Sequence, residues 1–363
     1  MERVCLILKN EEIDVIDERA FETVRALSKH GYFFGEIRIL DLGQKRSLQT
    51  LFTALKTEFD QIFCIGTEAV EKTVLENLSS LYPQMLYNDP ANGAFVFFEK
   101  NKTAIFLKIG QTDIPSALLT ELYKKDSIRK ERTTIRCMGA NETHIKRLLL
   151  DCRQKYGEKI RFAHRRKYDE DVVQLFYGED VSKIMLDDTV RVLAENLGDT
   201  LYALEDAELE EQLVSLLKIR GKKLSVAESF TGGGISKRIV SVSGASEVFY
   251  EGLNTYDEHS KMQRLGVNEF TLKSFGAVSE KTAYEMALGL LQTGKTDLAI
   301  ATTGLAGPKS DRSMLPVGLS FIAVGTKERI FVYRYKFDGS RKEITEKAIN
   351  YALFLAYKHL KNL

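Results

Sequence analysis

Leu224-Ser225-Val226-Ala227-Glu228-Ser229-Phe230-Thr231-Gly232-Gly233-Gly234-Ile235-Ser236 runs from an apolar segment through two hydroxyls into three consecutive glycines and then into an amphipathic stretch. Leu224 to Ala227 is the expected strand and Gly233 to Val240 the expected helix, with Ile235, Ile239 and Val240 facing inward. Glycines at a strand-to-helix turn let backbone N–H groups approach a ligand. The start of a helix also favours negative charge, whether phosphate or a developing oxyanion. The stretch is neither GxxxxGK[ST] nor GxGxxG, so it gives no support to nucleoside triphosphate or dinucleotide binding of those types. The same residues also suit a plain βα turn with Thr231 as helix cap, and this segment alone leaves both readings open.

Outward from that turn, strands and helices alternate. Asp206 to Arg220 reads as a helix with acids first, bases last and Gly221 just after, as the helix dipole and a C-terminal glycine cap require. Strand Val248 to Tyr256, helices Ser260 to Leu265 and Glu280 to Leu291, and strands Asp297 to Thr302, Leu319 to Val324 and Arg329 to Phe337 follow. The last helix starts at Arg341, with Ser340 and Glu343 spaced as a capping box.

Towards the N-terminus, strands Val4 to Leu8, Phe34 to Asp41, Gln61 to Ile65, Ala94 to Phe98 and Thr103 to Ile109 alternate with helices Glu18 to Lys29, Thr67 to Leu78 and Ile114 to Leu122, the pattern of an open α/β domain. The charged stretch Lys124 to Arg132 reads as a linker. Thr133 to about Gly198 then gives a small α+β module with helices Glu142 to Tyr156 and Leu186 to Leu197. Its basic run His164-Arg165-Arg166-Lys167 is expected to be a solvated hairpin turn rather than a phosphate contact. The chain is therefore expected to be α/β with domains at 1–128, 129–200 and 201–363.

The 363 residues exceed the size at which single cores stop growing, about 250 to 300 residues. A hydrophobic share of 44% with 28% charged residues suits a folded chain, and 52 basic against 51 acidic residues leave a net charge of only +1. Such a balance offers no global field for nucleic acid or an anionic membrane. No apolar run approaches the roughly 20 residues of a membrane span, and Met1 to Lys9 lacks the apolar core of a signal peptide, so a cytoplasmic protein is expected. Cys5, Cys64, Cys137 and Cys152 form no CxxC pair and are expected as buried thiols; the five histidines form no HExxH, and no metal or cofactor is expected.

Two further clusters carry hydroxyls. Ser243-Gly244-Ala245-Ser246 is followed by Tyr256 and Lys261, and a desolvated lysine of depressed pKa can serve as base for a serine without metal. Thr302-Thr303-Gly304-Leu305-Ala306-Gly307-Pro308 again ends a strand, and open α/β sheets bind ligands beyond the carboxyl ends of their strands. The Ser229 and Thr303 loops are expected to share a pocket.

Taken together, the residues from about Asp206 to Leu363 resemble the CinA C-terminal domain, the nicotinamide-nucleotide amidase module. Ala227 to Gly233 is similar to its AES-C-TGG signature, Gly244-Ala245-Ser246 to its GSS turn, and Thr255-Tyr256 through Lys261 to its TYSNEAK. Leu265-Gly266-Val267, Gly276-Ala277-Val278-Ser279, Thr303 to Pro308, Pro316-Val317-Gly318 and Gly339-Ser340-Arg341 continue the pattern in order. The preceding segments look like full-length CinA, in which a molybdopterin-binding-like domain and a KH-like module come first.

The resemblance implies metal-free hydrolysis of the carboxamide of nicotinamide mononucleotide, with a small-molecule nucleotide as ligand and a homodimer as the assembly. In that reading Lys261 is the base and Tyr256 holds or polarises it. Thr303 and the amides around Thr231, Gly232, Gly233 and Gly304 position the amide or its oxyanion, and Arg341 pairs with the phosphate. Ser229 is preferred as nucleophile over Ser246. Phe230 replaces the family's cysteine, Glu258-His259-Ser260 its Asn-Glu-Ala, and Lys309 and Leu315 depart at positions expected to line the pocket. In the N-terminal part, Lys9 to Ile13 stands for GDELL and Ile65 to Thr73 for TGGLGPTxDD. Loss of the paired aspartates removes hard oxygen ligands for a divalent cation, so the fold is expected without ADP-ribose pyrophosphatase chemistry. The alternative is a catalytically silent nucleotide-binding scaffold or regulator.

Overall fold

The computed structural model describes residues 2–9, 18–42, 48–125, 131–157, 159–308 and 314–362. Residues 10–13 of the Lys9 to Ile13 motif, residues 126–130 of the charged stretch, with the expected boundary at 128, and Lys309 lie outside them. The chain is α/β throughout and divides into two compact units, Met1–Arg132 with Phe176–Val181, and Thr133–Leu175 with Ser182–Leu363.

The first unit contains β1 (Arg3–Lys9), α1 (Arg19–Lys29), β2 (Glu36–Asp41), α2 (Leu48–Glu58), β3 (Gln61–Gly66), α3 (Glu68–Leu81), β4 (Gln84–Asp89), β5 (Ala94–Glu99), β6 (Lys102–Lys108) and α4 (Ser116–Lys125). Its sheet has the order β2-β1-β3-β6-β5-β4, with β2, β1, β3 and β6 parallel and β5 and β4 antiparallel. The central strands are apolar at every position because both faces are covered. Leu6, Leu8, Cys64 and Phe106 meet Phe52 of α2 and Val74 of α3, whereas Cys5, Ile7, Phe63 and Ile105 meet Leu27 of α1 and Leu118 of α4.

The second unit contains two sheets. Strands β7 (Glu131–Met138), β8 (Ile160–Lys167), β9 (Glu170–Tyr177) and β10 (Leu201–Ala203), with α5 (Glu142–Tyr156) and α6 (Lys183–Leu197), form a sheet of order β10-β7-β9-β8. The basic run is the end of strand β8 rather than a solvated turn. His164 and Arg166 both reach the fully buried carboxylate of Asp171, at 2.8 and 2.7 Å, while Arg165 and Lys167 point outward as strand alternation requires.

The remaining elements are α7 (Leu209–Arg220), β11 (Leu224–Glu228), α8 (Gly234–Val240), β12 (Phe249–Asn254), α9 (Glu258–Leu265), α10 (Glu269–Phe275), α11 (Glu280–Gln292), β13 (Leu298–Gly304), β14 (Leu319–Gly325), β15 (Ile330–Lys336) and α12 (Arg341–Lys361). Their sheet has the order β12-β11-β13-β14-β15, parallel across β12, β11 and β13 and antiparallel beyond. One face, with Val226, Ile300 and Ile322, packs on α7, α8 and α12 through Leu213, Ile235 and Leu353. The other, with Ala227, Ala299, Ala301 and Ala323, packs on α9 and α11 through Leu265, Met286 and Leu290.

Helices α2 and α10 were not expected from the sequence; α10 has only seven residues, too few to display a period, and owes its start to Asn268 accepting the Phe270 amide. Val240 is exposed rather than inward, leaving Ile235 and Ile239 as the buried positions of α8. All four cysteines are buried thiols. No helix of the described residues is long and apolar enough to cross a membrane.

Candidate active site

The alternation of strands β11 and β13 decides which side chains meet beyond their carboxyl ends. On β11, Leu224 and Val226 face α7 and α12, so Glu228 points to that side; Ala227 faces α9 and α11, and Ser229 continues to that side. The Ser229 amide still donates to the Thr302 carbonyl at 3.1 Å, extending the ladder by one residue. On α9, held by the Asp257 side chain at its start, Lys261 is turned inward and is only 1% exposed. Its Nζ contacts Ser229 Oγ at 3.1 Å, the Thr255 carbonyl at 2.8 Å and the Tyr256 carbonyl at 2.9 Å. Burial lowers the Lys261 pKa, against the opposing pull of the Glu258 and Asp257 carboxylates.

A neutral amine satisfies those three contacts without loss. Two N–H groups serve the carbonyls and the lone pair accepts the Ser229 hydroxyl proton, so the geometry is as well suited to a base as to an ammonium ion. Tyr256 contributes its main chain to this arrangement. Its ring is 63% exposed, and its hydroxyl lies 3.5 Å from Arg341 Nη2; Arg341 Nη1 donates to the Gly307 carbonyl at 2.7 Å. Tyr256, Arg341 and Gly307 thus form one rim.

The glycine turn is occupied differently from expectation. The carboxylate of Glu228 accepts the amides of Gly233 (3.1 Å), Ile235 (3.1 Å) and Ser236 (2.9 Å) and the Ser236 hydroxyl (2.7 Å). The Gly232 amide donates to the Ser229 carbonyl and that of Gly234 to Thr231. An anion does sit at this turn, and the protein supplies it. Gly233, not Thr231, caps α8. The Thr231 hydroxyl pairs instead with that of Thr302 at 2.8 Å. The amides of Phe230 and Thr231 make no hydrogen bond among the described residues.

Three other expected positions are relocated. Thr303 has the parity of Ala299 and Ala301, so its hydroxyl donates to the Ala277 carbonyl at 2.6 Å on the α11 side, while Thr302 faces the glycine turn. Ser246 is exposed in the turn before β12, next to Val248, whose carbonyl takes the amide of Leu224 at the opposite end of β11. About 17 Å of strand separates that end from Ser229, so the structure does not bring Ser246 to Lys261. Phe230 is buried in an apolar cluster with Ala306, Ile344 and Ala348 rather than lining a pocket with Ser229. Gly304 makes that packing possible, since a Cβ there would lie 2.9 Å from the Phe230 ring and 2.8 Å from the Leu319 carbonyl. His259 is exposed and Leu315 packs against the α11-side core. Glu228, Thr255 and Thr302 belong to the site without a role assigned to them by the sequence motifs; alternation along β11 and β13 is the signal that separates Glu228 and Thr302 from their neighbours.

The sequence model of the CinA C-terminal domain matches residues 206–360. A competence-damage inducible protein of Caldicellulosiruptor saccharolyticus is 44% identical over 184 residues, 51% of this chain and 45% of the relative. One of Caldicellulosiruptor bescii is 29% identical over 326 residues, 87% of this chain and 77% of the relative. This chain belongs to the CinA family. Its match thus spans less than half the length of the first of those CinA relatives. Among solved CinA-type structures, that of the competence/damage inducible protein CihA from Agrobacterium tumefaciens is 33% identical with a TM-score of 0.41, covering 44% of this chain and 99% of that one. The CinA domain match includes Ser229, Lys261, Thr303 and Arg341. In the first unit, the Ile65 to Thr73 segment that departs from the CinA pattern forms the end of β3 and the start of α3, with Thr67 as cap residue. Among the described residues no group of three or more His, Cys, Asp or Glu side chains is placed to hold a metal ion.

Proposed function

We propose that the chain is a nicotinamide-nucleotide amidohydrolase that converts nicotinamide mononucleotide to nicotinate mononucleotide and ammonia at Ser229 and Lys261. The observation that carries this reading is the contact of the buried, depressed-pKa Lys261 Nζ with Ser229 Oγ. Ser229 Oγ attacks the carboxamide carbon as Lys261 takes its proton. The C–N bond then breaks, Lys261 returns the proton to the leaving nitrogen, and ammonia departs. Water, deprotonated by Lys261, cleaves the acyl ester and frees the carboxylate and Ser229. The uncommitted amides of Phe230 and Thr231 are the donors best suited to the oxyanion, because they lie in the turn directly after the nucleophile. The exposed rim of Tyr256 and Arg341 suits a pyridine ring and a phosphate.

The test is ammonia release from nicotinamide mononucleotide in metal-free buffer, expected for the wild type and lost in Lys261→Ala and Ser229→Ala. No turnover above background sinks the reading for this substrate. A silent nucleotide-binding scaffold is the second reading, favoured by the prior commitment of Arg341 to Gly307 and of the Gly233 amide to Glu228. It predicts thermal stabilisation by the nucleotide without turnover. The N-terminal unit is proposed to have no pyrophosphatase chemistry, which ADP-ribose cleavage in the presence of magnesium, manganese or cobalt would overturn. The proposed assembly is a homodimer, to be read by sedimentation.

A further inference from the structure

Glu228 ties together both halves of the Ser229–Lys261 pair. Its side chain, 1% exposed, closes the glycine turn through four hydrogen bonds, three from the amides of Gly233, Ile235 and Ser236 and one from the Ser236 hydroxyl. Gly232 and Gly233 occupy left-handed backbone conformations in that turn, at φ 62° and 90°, so its shape depends on what its amides bond. Its main chain leads directly into Ser229, and its carbonyl accepts the Thr255 amide at 2.8 Å. The Thr255 carbonyl in turn holds Lys261 Nζ. Glu228 also pairs in register with Asn254 on one side and Thr302 on the other, the residue whose carbonyl takes the Ser229 amide.

We infer that Glu228 is a positioning residue, whose carboxylate acts as a built-in anion for the glycine turn and thereby fixes Ser229 against Lys261. This rests on the amidase reading for its consequence in turnover, though the positioning itself does not depend on which amide is cleaved. It also directs the substrate. With the Gly233, Ile235 and Ser236 amides taken, an incoming phosphate is left with the Arg341 rim and an oxyanion with the Phe230 and Thr231 amides.

Two readouts test it on the full chain, with folding checked by near-ultraviolet circular dichroism. The first is kcat and KM for ammonia release from nicotinamide mononucleotide. The second is the rate at which a fluorophosphonate labels Ser229, which needs an activated serine but not the nucleotide. Glu228→Gln is expected to lower both kcat and the labelling rate by about tenfold to a hundredfold, with KM changed by less than about threefold, the scale of a misplaced reacting group. Glu228→Asp, which keeps the charge, is expected to fall between wild type and Glu228→Gln. Labelling and kcat within about twofold of wild type in Glu228→Gln, or a raised KM with kcat unchanged, would overturn the inference. If Glu228→Gln does not fold, Ser236→Ala removes one of the four bonds and is expected to slow labelling severalfold; no slowing there counts equally against it. Wild type that is labelled at Ser229 but releases no ammonia defeats the nucleotide-amidase reading alone, and the labelling series still decides the role of Glu228.

Discussion

Lys261 Nζ and Ser229 Oγ stand 3.1 Å apart across 32 residues of sequence, with the Thr255 and Tyr256 carbonyls taking the other two positions around the nitrogen. The pairing is made by two adjacent parallel strands, β11 ending at Glu228 and β12 at Asn254, whose carboxyl ends deliver the serine and the lysine-bearing helix to the same place. Lys261→Met keeps the length of the side chain and removes the base. It is expected to lower kcat for ammonia release by at least about a thousandfold while leaving the fold intact, the scale of lost general acid–base catalysis. A residual rate within tenfold of wild type would show that Lys261 is not the base.

The pH profile follows from burial. Because desolvation lowers the Lys261 pKa, the neutral base gains population below the ordinary lysine value of 10.5, and kcat/KM is expected to rise with pH to a midpoint below that value. The Glu258 carboxylate favours the charged form of Lys261, so Glu258→Gln removes a neighbouring negative charge that raises the pKa and moves the midpoint to lower pH. A midpoint that stays put or moves up in this variant would count against Lys261 as the titrating group.

Ser246 gives the converse test. It stands at the amino end of the sheet, so Ser246→Ala is expected to leave kcat and KM within about twofold of wild type, as for a surface substitution away from the site. A loss comparable to that of Ser229→Ala would require the two turns to meet in a conformation other than this one.

Among the described residues the buried hydroxyl of Thr255 has no hydrogen-bond partner, and it lies directly beside the carbonyl that holds Lys261. Replacing an unsatisfied group by an apolar one of the same shape removes a desolvation cost, so Thr255→Val is expected to be neutral or stabilising by up to about 1 kcal/mol in urea unfolding. Destabilisation beyond about 2 kcal/mol would reveal a bonded hydroxyl, because that is the cost of losing a satisfied buried group.

Arg136 on β7 is 4% exposed and bonds Glu170 of β9, Asp206 and Glu208, so one guanidinium joins the smaller sheet of the second unit to the start of α7. Arg136→Met leaves these carboxylates without their cation and is expected to cost about 3 kcal/mol of stability. Arg136→Lys should restore only part of it, because a point charge cannot serve several carboxylates as a planar fork does. A change below about 0.5 kcal/mol, the range of ordinary surface substitutions, would show the network to be incidental.

Composition and pattern carried the α/β class, the alternating order of elements and the capping box of α12, since these depend on local periodicity and on residues adjacent in the chain. The motifs also placed the Ser229 turn and the Thr302 to Pro308 loop at carboxyl ends of strands. What stayed hidden was orientation. The helix start was legible as a place for an anion, yet only the folded chain shows that Glu228 already fills it. Thr302 and Thr303 are chemically alike in sequence; the pleat of β13 turns the first to the glycine turn and the second to Ala277. Phe230 looked like a pocket residue because it follows Ser229, and the same alternation sends it to the opposite face, against Ile344 and Ala348.

Ser229 and Ser246 mark the division most clearly. Residue identity and spacing are enough to establish a hydroxyl, a lysine and a flexible glycine turn in this chain, because they set local backbone behaviour. Which serine the lysine reaches is set by the folded chain. Strand direction and register place Ser229 and Lys261 at one end of the sheet and Ser246 at the other, and those are fixed by the packing of Val226 and Ile300 on one face and Ala227 and Ala301 on the other, contacts between residues far apart in the chain.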